Sequence, residues 1–308
     1  MKYFDLHCDT AYELYARGEK LSGRALNITA DKIEPFDSYV QLAAYCAPEN
    51  DSNDDAYEKF FLVKNYFENE LSENKFRLCS SSVEMTRYIE SGTPSFILTV
   101  EDARILGSSL KRLEALYEAG VRVITPLWGG ETVIGASHEA AGGLTPFGKE
   151  AMHLCAELGI ITDISHASER SADDIISIAH SHGMPVIASH SCAYAVHTHS
   201  RNIRDEHLKA VADSGGIVGV NLYPPHLTGT SASLTDAVHH ISYFVNSIGE
   251  DKVALGCDFD GMGLFTKGGE DVSCIPSLKE EMLSCGMGES LSNKILFENA
   301  FDFFAKHL

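Results

Sequence analysis

The chain has 308 residues, 44% of them hydrophobic, and a formal charge of −20 from 44 acidic and 24 basic residues. That length suits one large α/β domain or two ordinary ones, and the apolar content is ample for a sizeable core. A surface so negative repels phosphate backbones and anionic lipids, so we expect neither nucleic acid nor a membrane as a partner. The chain enters a strand-like segment by residue 3 without a basic and apolar leader, which favours a cytoplasmic location.

Short β-branched or apolar runs alternate with longer amphipathic segments along the chain. In chain order, the runs predicted to be strands are YFDLHCD (3–9), SYVQLAAYC (38–46), SFILTVE (95–101), VRVITPL (121–127), IITDISH (160–166), PVIASH (185–190), GIVGVNL (216–222) and VALGCDF (253–259). Helices are predicted between them, for example over 55–71, 145–158 and 233–248. Thr145 and Ser168 are expected to be N-caps, with Pro146 opening the helix after Thr145.

Repeated strand–helix order implies parallel strands that are joined by right-handed crossovers. Eight such units in about 300 residues predict an α/β fold of the (β/α)8 TIM-like barrel type, with a doubly wound open sheet as the alternative. The chain has no low-complexity tract and no visible domain boundary. We therefore expect a single barrel domain over residues 1–308.

Polar side chains capable of binding a metal stand near the ends of several predicted strands. They are His7, Asp9, Glu101, His166, His190 and Asp258. The C-terminal ends of barrel strands meet at one mouth, where active sites of this architecture are built. Because residues i and i+2 of a strand share a face, His7 and Asp9 can both point inward.

Three histidines and two carboxylates are the ligand mixture that holds zinc or a similar divalent ion. Five ligands exceed the needs of one tetrahedral ion with an open position, and a carboxylate such as Glu101 can bridge two ions. The pattern therefore favours a two-metal site, whose chemistry suits hydrolysis of an amide or ester. Each residue taken alone could instead be an ordinary core or surface group, and Asp258 could cap the turn-like DFDG segment.

Eight cysteines are scattered without any C-x-x-C pair, so we expect them to be reduced and mostly buried. Cys8, Cys192 and Cys257 stand beside candidate site residues, where each could be a ligand or a small buried filler; we favour the filler. Among the other histidines, His138 lies in a glycine-rich loop that could reach the mouth, and His207 is expected at the surface.

Long stretches of the chain resemble the membrane (renal-type) dipeptidase family, the M19 metallopeptidases. The matching segments are DLHCD (5–9), TVED (99–102), GGLTPFGKEAM (142–152), LGIITDISHAS (158–168), ASHSCAYAV (188–196), SRNIRDE (200–206), GIVGVNLYP (216–224), HHISYFVNSIGEDKVALGCDFDG (239–261) and GGEDVSCIPSL (268–278). The spaced match from SHSCAY to SRN, followed by HISY and DFDG, is specific. The resemblance implies a distorted (β/α)8 barrel with a binuclear zinc centre, and a homodimer as the assembly.

Residue roles follow from the resemblance position by position. It implies that His7 and Asp9 bind one metal, that Glu101 bridges both, and that His166 and His190 complete the second. The resemblance also implies that Glu101, as the bridging ligand, and Asp258 take part in catalysis.

The resemblance further implies that Arg201 binds the terminal carboxylate of the substrate, for which a guanidinium fork is suited. Its alternative role is a surface ion pair with Asp205 or Glu206. Asp258 matches the acidic residue that passes a proton from the nucleophile to the departing amine, and Tyr223 matches a tyrosine on a substrate-facing loop. The nucleophile would be a hydroxide between two zinc ions, and the substrate a small dipeptide.

The chain departs from part of this family after the fourth predicted strand. Trp128 stands where some members have a histidine that polarises the substrate carbonyl, and indole can donate a hydrogen bond but cannot carry a proton. Trp128 could line the substrate pocket or pack at the barrel rim, with His138 as a substitute. Two further functions remain open: hydrolysis of another carboxylate-bearing amide, lactam or lactone at the same site, or metal binding without catalysis.

Overall fold

The computed structural model describes residues 1–308, and its centre is a closed barrel of parallel strands. The strands are β1 (Lys2–Cys8), β2 (Ser38–Cys46), β3 (Arg77–Leu78), β4 (Ser95–Glu101), β5 (Val123–Thr125), β6 (Ile161–Asp163), β7 (Val186–Ser191), β8 (Val218–Val220) and β9 (Val253–Leu255). In the sheet the order is β2-β1-β9-β8-β7-β6-β5-β4-β3, and β2 also pairs with β4. That last pairing closes a ring of eight strands, so the predicted (β/α)8 barrel is confirmed and the open sheet is wrong.

The two-residue strand β3 was not predicted. It pairs with Ser95 and Phe96 of β4, whereas β5 pairs with the same strand only from Thr99 onward. Because β2 follows β4 along its whole length, β3 adds to the barrel wall without entering the ring.

Helices lie in the connections between strands. They are α1 (Thr10–Arg17), α2 (Ala30–Ile33), α3 (Asn53–Glu73), α4 (Ser82–Glu90), α5 (Leu110–Glu118), α6 (Pro146–Leu158), α7 (Glu169–Ser181), α8 (Asp205–Asp213), α9 (Pro224–Leu227), α10 (Leu234–Ile248), α11 (Ile275–Ser284), α12 (Glu289–Asn293) and α13 (Asn299–His307). Short 3-10 helices cover Ala103–Leu106, Glu250–Lys252 and Val272–Cys274, and a π-helical turn covers Lys294–Glu298. None of the helices combines the length and the apolar character that crossing a bilayer requires.

Both predicted N-caps are confirmed. The Thr145 hydroxyl accepts a hydrogen bond from the Gly148 amide at 2.9 Å, and Pro146 occupies the first position of α6. The Ser168 hydroxyl accepts one from the Ser171 amide at 3.0 Å and so starts α7. Each cap pairs a backbone amide that the first turn leaves without a partner.

Two packed regions hold the barrel. A buried cluster of 71 residues fills the space between the strands and the surrounding helices. A second cluster of 16 includes apolar residues from or beside every barrel strand, together with α13. Side chains from opposite strands of a closed barrel meet only inside it, so this second cluster is the barrel interior. The Phe304 ring stacks on Phe4 at 5.3 Å, which puts α13 over the N-terminal ends of the strands and leaves the opposite mouth for the site.

Candidate metal centre

The barrel brings all six predicted metal-site and proton-transfer residues to its C-terminal mouth. His7 lies in β1 and His190 in β7, and Glu101 is the last residue of β4. Asp9 follows β1 directly, whereas His166 and Asp258 each lie three residues beyond the end of their strands. The six residues therefore lie at the predicted mouth of the barrel, but half of them belong to loops and not to strands.

Simple strand alternation does not explain how these side chains are aimed. The register between β1 and β2 shifts between Asp5 and Cys8, and the Asp5 carboxylate accepts a hydrogen bond from the His7 amide at 2.9 Å. A second shift lies between Ala188 and Ser191 of β7, around His190. Bulges of this kind redirect side chains near active sites, and here each one surrounds a histidine of the site.

Two loop residues of the site adopt left-handed backbone conformations. His166 has φ 67° and Asp258 has φ 66°. Few residues other than glycine adopt this region, and such conformations persist only where the surrounding structure holds them. Both turns follow the end of a barrel strand, so they direct a side chain back over the mouth.

Glu101 lies at the middle of the cluster, and its two oxygens face different histidines. Oε1 is 3.1 Å from His166 Nε2 and 3.4 Å from His190 Nε2. Oε2 is 3.7 Å from His7 Nε2, which is itself 3.8 Å from Asp9 Oδ1 and 3.8 Å from Asp258 Oδ1. The cluster thus contains two potential ligand sets that share Glu101: one with His7 and Asp9, the other with His166 and His190.

The side-chain nitrogen and oxygen atoms of this cluster are suited to binding divalent metal ions. His7 Nε2 and Asp9 Oδ1 are buried and have no hydrogen-bond partner, and Glu101 Oε1 forms no aligned hydrogen bond although His166 Nε2 lies 3.1 Å away. Leaving a polar atom in that state costs about 1–3 kcal/mol, which a bound cation would offset. His166 Nε2 also lies 3.0 Å from His190 Nε2. Two neutral imidazole nitrogens at this distance can both bind one metal ion.

The charges in the cluster point to a cation as well. Burial and the neighbouring carboxylates of Glu101 and Asp258 raise the pKa of Asp9 well above its usual value. Burial also opposes the charged form of Glu101, but the imidazoles of His7 and His166 hold its pKa at about 2. For His190, burial and the positive groups nearby lower the pKa, which favours the neutral imidazole that metals bind.

Polar groups behind the histidines fix their orientation. His190 Nδ1 lies 2.7 Å from the Ser189 hydroxyl, which donates to the buried Asp163 carboxylate. Asp163 also accepts hydrogen bonds from the Thr125 hydroxyl and from the amides of Ser165 and Ser189. Such second partners set the tautomer and aim of ligating histidines. Sequence reasoning missed Ser189 and Asp163, although a buried aspartate inside an apolar strand was an available signal.

Asp258 is held beside the cluster by two features that the sequence did not indicate. Its Oδ2 accepts a hydrogen bond from the Asn221 side chain at 3.1 Å. Gly261 has no room for a side chain, since a Cβ there would lie 2.1 Å from Asp9 Oδ2 and 2.5 Å from Asp258 Oδ1. Burial raises the pKa of Asp258 to about 6, against the opposing effect of His7. Neighbouring Asp260 instead binds Thr10 and the Asn27 amide and has a structural role.

Arg201 is 4% exposed and lies against the metal-ligand cluster. One terminal nitrogen donates to the His190 carbonyl at 3.0 Å and the other to the Ser191 hydroxyl at 3.2 Å. These bonds fix the guanidinium and leave three of its five N–H donors without partners. The alternative of a surface ion pair with Asp205 or Glu206 is wrong, because Arg201 is buried and forms no such pair.

The remaining predicted residues lie at the rim. Trp128 is 36% exposed, and its carbonyl oxygen is 3.2 Å from His166 Nδ1, so its main chain contacts the cluster. Tyr223 is half-buried and its ring packs edge-on against His226 at 4.9 Å. His138 donates its backbone amide to the His166 carbonyl at 2.7 Å, and its Nδ1 lies 3.0 Å from the Ser200 hydroxyl. The glycine-rich loop therefore does reach the mouth.

Two other predictions can be compared with the structure. Cys8, Cys192 and Cys257 are buried free thiols and belong to none of the potential ligand sets, as expected of fillers. The surface assignment of His207 is wrong: this residue is 7% exposed, and its Nε2 lies 3.0 Å from Asp173 Oδ1. The hydrogen-bond contact with Asp173 and the packing of α8 against α7 account for its burial.

Comparison with known proteins identifies a family for the chain. A family model described as membrane dipeptidase (peptidase family M19) matches residues 1–306. An uncharacterized protein from Klebsiella pneumoniae is 34% identical over 241 residues, which cover 74% of this chain and 88% of that protein. A dipeptidase from Aspergillus oryzae is 36% identical over 207 residues, which cover 65% of this chain but only 48% of that protein.

A solved structure shares the fold across its full length. It is a metallopeptidase from Rhodobacter sphaeroides liganded with a phosphinate mimic of the dipeptide L-Ala-D-Ala, with a TM-score of 0.88 at 23% identity. The alignment covers 100% of this chain and 99% of that one. Together with the match to the family model over residues 1–306, these similarities show that the chain belongs to the membrane dipeptidase family, peptidase family M19, and is a metallopeptidase of the dipeptidase type.

Proposed function

We propose that the chain hydrolyses dipeptides with the help of two divalent metal ions, for which zinc is the best match. His7 and Asp9 would hold one ion, His166 and His190 the other, and Glu101 would offer one oxygen to each. The observation that carries this proposal is the set of buried, unpartnered ligand atoms around Glu101. When bound, such a pair of ions supplies a hydroxide at neutral pH and polarises the carbonyl of the bond to be cleaved.

Arg201 would bind the free carboxylate of the substrate. Its guanidinium is fixed by two hydrogen bonds, one of them to the carbonyl of the ligand His190, and three N–H donors remain. A planar fork of this kind pairs both oxygens of a carboxylate. Because Arg201 adjoins the cluster, the arrangement favours peptides whose C-terminus is one residue from the cleaved bond. The dipeptide mimic bound by the Rhodobacter protein supports the same substrate class.

Asp258 would transfer the proton. Its carboxyl group lies beside His7 and is oriented by Asn221, so it can accept a proton from a water molecule at the cluster and return it. In the reaction it would take a proton from the attacking water and give it to the departing amine. Because Oδ2 already accepts a hydrogen bond from Asn221, Oδ1 would carry the proton in both transfers.

Trp128 and Tyr223 would form parts of the substrate-facing rim. Indole contributes apolar surface and one N–H donor, so Trp128 would shape the pocket without taking part in proton transfer. His138 has a free Nε2 beside His166 and is available for the polar contacts that Trp128 does not make. A homodimer, which the family resemblance implies, is a further part of the proposal that analytical ultracentrifugation tests.

The test combines metal analysis with a dipeptide screen. We expect two metal ions per chain by mass spectrometry and hydrolysis of at least part of a panel that includes D-residues at the second position. Arg201→Ala should keep both ions and lose about 100-fold in kcat/KM on dipeptides, since a charge-assisted pair is removed. Arg87→Ala, an exposed arginine of α4, is the matched control and should behave as the parent. A protein with two bound ions and no activity on the panel would refute the proposal.

A further inference from the structure

A large cavity opens beside the metal-ligand cluster, on the side of His166 and Arg201. Its volume is about 520 Å³, and both of these residues line it. Small-molecule sites have volumes of ~300–1,000 Å³. One carboxylate bound to Arg201 would occupy a small part of this space, so the cavity can also receive the side chain of the residue that carries the carboxylate. This reading rests on the proposed function.

The cavity is positive within a strongly negative chain. It is lined by Arg170, Arg201 and Arg204, and its only acidic residue is Glu169. The whole chain carries a formal charge of −20. A wall with an excess of arginine in such a protein selects against cations and attracts anions.

The three arginines differ in what they already bind. Arg201 is buried and would be engaged by the substrate's terminal carboxylate. Arg204 pairs with Glu169 and stacks over the Tyr194 ring at 4.1 Å, so its position is fixed but its charge is balanced. Arg170 is exposed at the start of α7 and makes no ion pair or side-chain hydrogen bond. A second anionic group in the cavity would therefore meet an arginine that has no other partner.

We propose that the cavity selects dipeptides whose C-terminal residue has an acidic side chain, aspartate or glutamate. Arg201 takes the terminal carboxylate and Arg170 takes the side-chain carboxylate. Both contacts exist before and during the reaction, so they lower KM more than they raise kcat.

The test compares dipeptides that differ by one charge. Pairs with a common N-terminal residue and C-terminal Asp or Asn, and Glu or Gln, are assayed in both configurations of that residue with the metal-loaded enzyme. We expect kcat/KM for the better configuration of the acidic dipeptide to exceed that of its amide partner about tenfold, mainly through KM. The preference should shrink in 0.5 M NaCl, because salt screens partly exposed charges.

Arg170→Gln identifies the residue responsible. The ratio of acidic to amide kcat/KM should fall at least threefold in this variant, while Arg87→Gln on the far surface should keep the parental ratio. Equal rates on the two members of every pair, or a ratio that Arg170→Gln leaves unchanged, would overturn the inference while dipeptide hydrolysis itself stands. If no dipeptide is cleaved at all by protein holding two metals, the proposed function fails and this inference falls with it.

Discussion

Gly261 offers a way to disturb the metal centre without altering any ligand. An alanine Cβ at this position would lie 2.1 Å from Asp9 Oδ2 and 2.5 Å from Asp258 Oδ1, whereas real Cβ atoms essentially never approach within 3.0 Å. The Asp9 carboxylate must therefore retreat by about 1 Å. Metal–ligand bonds tolerate deviations of ~0.2 Å, so a shift of this size should break the contact between Asp9 and its ion.

We expect Gly261→Ala to lower kcat/KM by about 100-fold, the typical effect of a 1 Å misplacement at a reacting centre. That loss corresponds to about 2.7 kcal/mol. The metal content per chain should also fall below two, whereas the melting temperature of the metal-free protein should change little, since the carboxylates can move apart when no ion holds them.

The neighbouring Gly263→Ala is the matched control, because a Cβ there has no atom within 4 Å. It should retain the metal content and the activity of the parent. Full metal occupancy and parental kcat/KM in Gly261→Ala would refute the steric argument, and an equal loss in both variants would refute its assignment to the two carboxylates.

Three further predictions concern the same cluster. Asp9→Ala should retain about one metal ion per chain by mass spectrometry with an unchanged far-ultraviolet circular dichroism spectrum; two ions bound as tightly as in the parent would contradict the assignment of Asp9. Ser189→Ala should weaken metal binding about 10- to 100-fold in titrations of the metal-free protein, since His190 loses its orienting partner. Parental affinity in that variant would exclude the Ser189–Asp163 pair from the metal site. In metal-free protein, Asp258 has a folded-state pKa raised to about 6, so its contribution to stability falls as the pH rises from about 4 through 6. Asp258→Asn removes this pH dependence, so the melting temperature of the variant relative to that of the parent should increase as the pH rises over this range. A difference that stays constant with pH would argue against a buried, metal-free Asp258 carboxylate.

The barrel was predictable because its signals are local. Short apolar runs separated by amphipathic segments mark buried parallel strands and their crossover helices, and the caps at Thr145 and Ser168 start α6 and α7 as expected. The predicted strands were often too long, however. VRVITPL contributes only Val123–Thr125, since Pro126 has no amide with which to continue the ladder.

The identity of the candidate ligands was also available from the sequence, from His7 and Glu101 through His190. The manner in which they converge was not. His7 and His190 are aimed by shifts of strand register, and His166 and Asp258 by left-handed turns. These features depend on contacts with neighbouring strands, such as the Asp5 carboxylate on the His7 amide, which no local pattern encodes.

The sequence by itself determined the family, the barrel and the residue types at its mouth, because hydrophobic periodicity and spaced motifs are properties of the chain alone. Only the tertiary structure decided that Glu101 directs its two oxygens to different histidines and that Gly261 must lack a side chain. It alone also joined Arg170, Arg201 and Arg204 in one cavity. The physical reason is that distances between residues from different strands are set by barrel closure and packing, and neither can be read from one segment at a time.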